Sequence, residues 1–503
     1  MTELRIATLD GGERTLAPEV LGTLSSSLRG RLLAAGDPDY DGARRVWNGM
    51  HDRRPALIVQ CEGTGDVIDA VKFARAHGLL ISVRGGGHNV AGTSVTNGGM
   101  MIDLSPMRGI RVDPDRRTAS VQPGATWADV DRETQAFGLV VPGGNISTTG
   151  VAGLTLGGGM GWLRRKLGLS CDNLLAADIV TADGRFHSVS ASREQDLFWA
   201  IRGGGGNFGI VTAFEFRLHP LGPTIMFAAP LYPVEAAADA IHYWRRYCAQ
   251  APDEVSSYVF FMTIPHAPEF PEALWGRQVV ALPGVYCGHH DDGEHALAPL
   301  RRFDQPLLDL SGRIPYTSLQ QTFDWMFPTG HYYYWKTANL RSLDDDVVDV
   351  LVECGTTRSS PGTVVGIWQL GGAIARLRPD DSAYPRRHAP YLVNIDSAWT
   401  DGAETSRHVA WTRETWHSLQ PFSDGGMYLH YGSLEEEAQV RVAYGANYDR
   451  LVGIKHRYDP DNFFRLNQNI RPTPTLPALD SIFPVRPVTR VRPRDRGLEE
   501  PRA

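Results

Sequence analysis

Ser82-Val-Arg-Gly-Gly-Gly-His-Asn-Val-Ala-Gly-Thr-Ser94 is the stretch that organises everything around it. It starts as the end of a short apolar run, Leu79 to Val83, suited to a buried strand. Three glycines follow at once, so the chain can turn tightly with positive φ and point several N–H groups at one place. Such a nest holds anions, phosphates above all. A plain strand-end turn would use the same glycines; His88 directly behind them sets this one apart. Upstream, Ala56-Leu-Ile-Val59 reads as another buried strand, and Asp66 to His77 carries apolar residues at helical spacing, with Thr64 or Asp66 as cap and Gly78 as stop. The unit is β-α-β, which predicts a parallel pairing with a crossover helix.

These glycines belong to a wider excess. The chain of 503 residues has 53 glycines, about a tenth, against an average of about 7%. They show no period of three, which excludes a collagen reading. They cluster instead at Gly85–Gly87, at Pro142 to Gly161 (PGGNISTTGVAGLTLGGGMG) and at Gly203–Gly209. A Walker loop is absent. Gly204 to Gly209 spells the dinucleotide fingerprint, but Ile210 to Leu218 behind it is strand-like, not helical, so a Rossmann site does not follow. Three clusters in one α+β unit suit one long ligand with a pyrophosphate in its middle, approached closely by backbone at several points.

Composition narrows the classes. With 50 basic and 57 acidic residues the net charge is -7, so no basic face for nucleic acid or an anionic membrane is expected. No window nears 18 apolar residues, and the N-terminus lacks the pattern of a signal peptide, so a cytoplasmic protein is expected. The five dispersed cysteines read as small buried residues and not as a disulfide scaffold. Further strands are expected at Met100–Leu104, Thr118–Gln122 and Leu174–Val180, and a helix at Trp127–Phe137. An early helical stripe is formed by Leu21, Leu24, Leu28 and Leu32. After Pro220-Leu-Gly-Pro223 the texture changes. Strand-like runs (Ser257–Thr263, Gln278–Cys287, Gly362–Leu370, Tyr391–Ile395) alternate with helical ones (Pro233–Ala249, Ser342–Glu353, Glu404–Leu419). That predicts an antiparallel sheet with helices on one side. Leu434 to Tyr458 reads as helix, and the Pro- and Arg-rich tail from Thr473 as extended or disordered. Cys287-Gly-His-His-Asp-Asp-Gly-Glu-His295 offers metal-ligand types in a turn-rich polar stretch that reads as a solvated loop, so no metal is assigned.

Three strings together resemble the berberine-bridge-enzyme-like branch of the vanillyl-alcohol oxidase family. They are Ser82–Ser94; Gly150-Val-Ala-Gly-Leu-Thr-Leu-Gly-Gly-Gly-Met-Gly161 with Arg165–Asn173; and Tyr444-Gly-Ala-Asn-Tyr-Asp-Arg-Leu451 with Tyr458–Ile470. The resemblance implies an α+β, two-domain, PCMH-type FAD-binding fold with an antiparallel-sheet substrate domain. It divides the chain into an FAD-binding domain (1–221), a substrate domain (222–440), a segment returning to the FAD domain (441–472) and a tail (473–503). FAD is then expected against Arg84, Gly85, Gly86, Gly87, His88, Asn89, Gly92, Ser94, Gly143, Thr148, Gly150, Val151, Gly153, Gly158, Gly161, Trp162, Val211, Asn447 and Asn467.

The resemblance also implies roles. His88 stands where the family bonds to the flavin 8α carbon, and neutral imidazole is a nucleophile at physiological pH. Family members with a second, cysteinyl bond carry it where this chain has Ile146, so a single link is expected; Cys171 lies elsewhere and packs. Val151 stands where the family controls dioxygen access, and its small size leans toward an oxidase. Met427-Tyr-Leu-His-Tyr431 resembles a family strand whose last tyrosine deprotonates the substrate hydroxyl. Tyr431 is the candidate base, needing a cation or the flavin to lower a pKa near 10; His430, where asparagine is usual, is the other. As a strand, Tyr428 and His430 would share one face. Tyr332-Tyr-Tyr-Trp-Lys336 and Ala383-Tyr-Pro-Arg-Arg-His388 resemble segments beside the substrate sheet. Tyr334, Gln369 and Tyr428 are candidate substrate contacts, and Lys336 either activates a phenol or alcohol or is a solvated charge. The activity implied is oxidation of an alcohol, amine or phenolic small molecule, with hydride passing to the flavin and dioxygen giving hydrogen peroxide. The alternative is a flavin enzyme that closes or remodels a natural-product scaffold. A monomer or homodimer is expected.

Overall fold

The computed structural model describes residues 3–432 and 437–472. The Thr473–Ala503 tail and Leu434, where the last helical run was expected to begin, lie outside the described residues. The fold is α+β. Near the N-terminus a four-stranded sheet runs in the order Arg31–Leu33, Leu57–Gln60, Met100–Asp103, Ile81–Arg84. The helix Thr64–Ala76 connects two parallel strands, yet these do not pair. Met100–Asp103 enters between them and pairs parallel with both, because its four residues are fully buried and fit only a central position. A second sheet is antiparallel and holds, in order, Phe186–Ser190, Leu174–Val180, Ile210–Arg217, Thr118–Val121 and Ile110–Asp113. Gly203–Gly209 thus leads into a strand, as its following residues required. The leucine stripe is shorter than expected: the helix is Pro18–Ser27, and Leu32 sits in the strand Arg31–Leu33.

The third sheet is the large one. Its central strand, Val255–Thr263, pairs antiparallel with Gln278–Ala281 at one end and Gly284–Tyr286 at the other. The expected single run Gln278–Cys287 is therefore two strands, split at Pro283, which has no N–H to give a ladder. On the other side of Val255–Thr263 lie Val364–Gln369, Tyr391–Trp399 and Tyr332–Leu340 in turn. Period-two alternation gives this sheet two apolar faces. Val259, Phe261, Val365, Ile367, Val393 and Ile395 face the helices Ala237–Gln250, Asp345–Thr356 and Thr405–Leu419. Tyr258, Phe260, Trp335, Val364, Trp368 and Leu392 face the other way, into a core shared with Trp47, Met160 and Trp162. Cys287–His295 ends a strand region and opens the helix His290–Arg301, so it is not the expected loop. The C-terminal run is two helices, Glu437–Tyr444 and Tyr448–Tyr458, separated by a short 3-10 turn at Gly445–Asn447.

Candidate active site

One cavity runs between the two sheet systems, and its two walls are built differently. The first wall is mostly backbone. It passes Gly85–Asn89, Ser94, Thr149–Gly150, Ala152–Leu154, Gly203, Gly205–Asn207, Gly209–Val211 and Phe464–Gln468. At Gly86 the need for glycine is geometric: an added Cβ would lie 2.5 Å from the Cα of Gly150. Two segments of the wall therefore touch backbone to backbone. Gly87 follows with φ +69°, which aims His88 into the cavity wall. His88 Nε2 is 3.1 Å from Thr148 Oγ1, and the ring stacks on Trp47 at 4.5 Å. Removal from bulk water pushes its imidazole down to about 3, so it is neutral and nucleophilic at any working pH.

Several predicted cofactor residues support this wall without lining it. Arg84 points away from the cavity; its guanidinium makes a two-pronged ion pair with buried Asp103 (2.9 and 2.6 Å) and also donates to the Arg45 carbonyl. The pair fixes the base of the glycine turn. Gly92 packs against His51, Gly143 against Trp127, Gly158 against Tyr384 and Gly161 against the Gly143 carbonyl. Val151 is buried in the apolar core behind the wall, while its neighbours Gly150 and Ala152 line the cavity. Trp162 is likewise core, edge-on to Tyr258 and Phe227. Asn447 donates to the carbonyls of Pro379 and Ser382 and so holds a loop, not the cavity. Asn467 does line it, and Nδ2 reaches the Gly206 carbonyl at 3.3 Å. Ile146, in the place of a second linking residue, lines the cavity with no nucleophile. Lys455 was not foreseen. It is fully buried, donates to Asp459, to the Asn207 carbonyl and to the Phe464 carbonyl, and so ties the C-terminal segment to the third glycine cluster.

The second wall is side chains from the large sheet and one turn: Phe260, Trp335, Val364, Trp368, Asn394, Asp396, Tyr428 and Tyr431. Alternation decides which residues reach it. Tyr333 and Trp335 are on the cavity side of their strand, so Tyr334 and Lys336 are on the helix side. Lys336 lies over the Trp416 ring at 4.6 Å, and Tyr334 accepts from Arg413. Neither is placed to touch a substrate in the cavity. Burial pushes Lys336 down to about 8, an effect of its apolar surroundings. Gln369 is turned the same way and donates to the Cys248 carbonyl.

Met427–Tyr431 is not a strand. Tyr428 N–H goes to Thr337 Oγ1, and Tyr431 and Gly432 N–H return to Tyr428 and Leu429, which makes a 3-10 turn at Leu429–Tyr431. The two-face argument therefore fails, and Tyr428, Leu429, His430 and Tyr431 all line the cavity. Tyr428 OH accepts from the N–H groups of Gly159 and Met160 at 3.2 Å. His430 Nε2 meets the Leu154 carbonyl at 2.7 Å, and burial pushes the ring down to about 4. Tyr431 stacks on Trp335 at 4.9 Å. Its phenol is pushed well above 10 by burial and by the neighbouring Asp396 and Tyr428, the opposite of what a phenolate base requires. The group suited to hold a proton was missed by the sequence reading. Asp396 is 3% exposed; one oxygen accepts from Asn394 and the other has no partner. Burial lifts this carboxyl well above its usual range. Its signal was faint: Asn394 and Asp396, two residues apart, interrupt an apolar strand on one face.

Known proteins place this geometry. The profile described as "FAD binding domain" matches residues 55–190, and "Berberine and berberine like" matches 427–471. The (R)-6-hydroxynicotine oxidase of Paenarthrobacter nicotinovorans is 40% identical over 474 residues, covering 89% of this chain and 97% of the relative. The chain belongs to the berberine-bridge-enzyme-like FAD-linked oxidoreductases. An uncharacterised relative, YgaK of Bacillus subtilis, is 30% identical over 462 residues (89% and 98% covered). By superposition, 6-hydroxy-D-nicotine oxidase from Arthrobacter nicotinovorans gives a TM-score of 0.80 at 27% identity (89% and 99% covered). A chitooligosaccharide oxidase gives 0.80 at 22% identity, a likeness of fold. As a member of this oxidoreductase family the chain binds FAD, and the first wall suits the group. At Gly153 and Gly206 an added Cβ would meet nothing within 4 Å, so backbone is open to a long ligand. Ser82 Oγ, Ser94 Oγ, Asn145 Oδ1 and Asn467 Oδ1 are buried beside the cavity with no hydrogen-bond partner, as groups awaiting a polar ligand are.

Proposed function

We propose that this oxidoreductase is an oxidase that removes hydride from a carbon bearing an amine or hydroxyl group on a small, largely apolar substrate. FAD, when bound, supplies the two-electron acceptor and passes the electrons to dioxygen, giving hydrogen peroxide. His88, neutral and set on the glycine turn, is the residue suited to a single covalent link to it. Between the walls, Trp335, Trp368 and Phe260 offer flat apolar surface that stacks on an unsaturated ring and keeps water out. Asp396 takes the proton from the substrate N–H or O–H. The observation that carries this reading is its unpartnered carboxylate oxygen in a wall that is otherwise aromatic. Burial, by raising its pKa, also makes this carboxylate a stronger proton acceptor than an exposed one. Tyr431, held as a phenol, is left as a hydrogen-bond donor.

An amine is favoured by the relative that oxidises 6-hydroxynicotine and by the same carboxyl, which attracts a protonated amine. The test is a hydrogen-peroxide assay across 6-hydroxynicotine, other cyclic amines, aromatic alcohols and sugars. Peroxide with amines and not with sugars supports the reading; peroxide with sugars alone overturns the substrate class. Yellow colour wholly released by acid precipitation would contradict the His88 link.

A further inference from the structure

Asn394 connects two groups that were described separately. Its Oδ1 accepts from the Trp368 indole Nε1 at 2.5 Å, and its Nδ2 donates to Asp396 Oδ2 at 2.5 Å. An amide can be turned over without changing its shape, so its orientation must come from its partners. Here one partner settles it, because an indole N–H can only donate. The atom facing Trp368 has to be oxygen, and the atom facing Asp396 has to be the amide nitrogen. The neighbouring strand leaves space for this arrangement. Gly366 pairs with Asn394 across the sheet, and a Cβ there would lie 2.3 Å from Asn394 Oδ1.

We propose that Asn394 is the positioning residue of Asp396: pinned by Trp368, it commits an N–H to Oδ2 and thereby makes Oδ1 the one oxygen of that carboxylate on which a substrate proton can come to rest. The inference rests on the reading of Asp396 as proton acceptor. Its logic is local. An amide nitrogen has no lone pair to accept with, so a protonated Oδ2 would set two donors face to face. Oδ1 has no partner and meets no such conflict. The N–H also stabilises the charged carboxylate and so opposes the upward push of burial. Among the described residues, the titratable group that interacts with Asp396 on the same wall is Tyr431, on the 3-10 turn; held as a phenol, it gives Asp396 no compensating cation. On the adjoining strands the residues paired with Asp396 are Trp335 and Val364, neither of which titrates.

The test uses the flavin-loaded enzyme; its titration needs no substrate, and turnover of Asp396→Asn is read separately with a compound that gives peroxide. The infrared stretching band of a protonated buried carboxyl is followed against pH and assigned to Asp396 by its loss in Asp396→Asn. In Asn394→Leu the midpoint should move up by about one to two pH units, the worth of one hydrogen bond to a charged group. Asn394→Asp should move it at least as far, since a second carboxyl then faces the first. Trp368→Phe and Gly366→Ala, which leave Asn394 present but unpinned, should move it in the same direction by less. A midpoint unmoved in Asn394→Leu and Trp368→Phe, beside an inactive Asp396→Asn, overturns the positioning role alone. Full turnover in Asp396→Asn overturns the proton-acceptor reading and with it the role given to Asn394.

Discussion

The two walls of the cavity solve different problems with different materials. The cofactor wall is main chain brought close by glycine, and its specificity lies in where N–H groups and open backbone fall. The substrate wall is side chains standing on alternate positions of a sheet, and its specificity lies in which letters face inward. At Gly86 a change of one atom's bulk is felt at once, because Gly150 backbone lies against it. On the second, a side chain that stands on the wrong face does not reach the cavity at all. Lys336 and Asp396, each on a strand of the same sheet, are the sharpest pair. One lies over a tryptophan among the helices and the other in the cavity wall.

The comparison can be broken on the cofactor side first. Gly86→Val, which drives a side chain into the backbone of Gly150, should leave protein with almost no flavin and no turnover, read from its visible spectrum. His88→Ala should keep flavin bound, since the rest of the wall is intact, but all of it should be released by acid, with turnover reduced and not abolished. On the substrate side, Lys336→Met should leave the flavin spectrum and turnover near wild type, and a loss as large as that of Asp396→Asn would return Lys336 to the site. A smaller effect is expected where the two halves meet. Asp131 is buried, accepts from Gln320 at 3.0 Å through one oxygen, has no partner for the other, and is pushed up to about 7. A carboxyl whose folded pKa is raised binds its proton more tightly in the fold. Stability from this group is then fully present below the unfolded value near 4 and is lost as pH rises through about 7. Asp131→Asn should therefore raise Tm by a few degrees at pH 8, with a gain that shrinks toward pH 4.

Much of the first wall was legible because glycine's necessity is written in its letter. A triple glycine after a buried strand, with His88 behind it, is compatible with few local structures, and the context of Gly204–Gly209 was enough to reject a helix. Some residues named with that wall, such as Arg84, Gly143 and Val151, are one layer behind it; adjacency in a motif does not say which atoms face the ligand. The second wall was less legible. Alternation divides Tyr332–Lys336 into two faces, but only the packed sheet tells which one meets the cavity, so Tyr334, Lys336 and Gln369 were assigned to the wrong side. Asp396 lies just past the expected strand run Tyr391–Ile395 and was not singled out, because its meaning depends on Asn394 two residues before it and on Trp368 and Gly366 from the neighbouring strand. Tyr431 lines the cavity, but the lowering of its pKa that its expected role needed, from a cation or from the flavin, is opposed by burial and by Asp396.

The central claim is that the proton-accepting group of the second wall is Asp396. It is tested most directly by rapid anaerobic mixing of enzyme with whichever compound gives peroxide, following flavin bleaching from pH 6 to 9. Asp396→Asn should slow bleaching by about 10²–10⁴-fold and remove the acidic limb of the pH profile, while Tyr431→Phe keeps that limb and most of the rate. Near-normal bleaching in Asp396→Asn, with the limb lost instead in Tyr431→Phe, would contradict it.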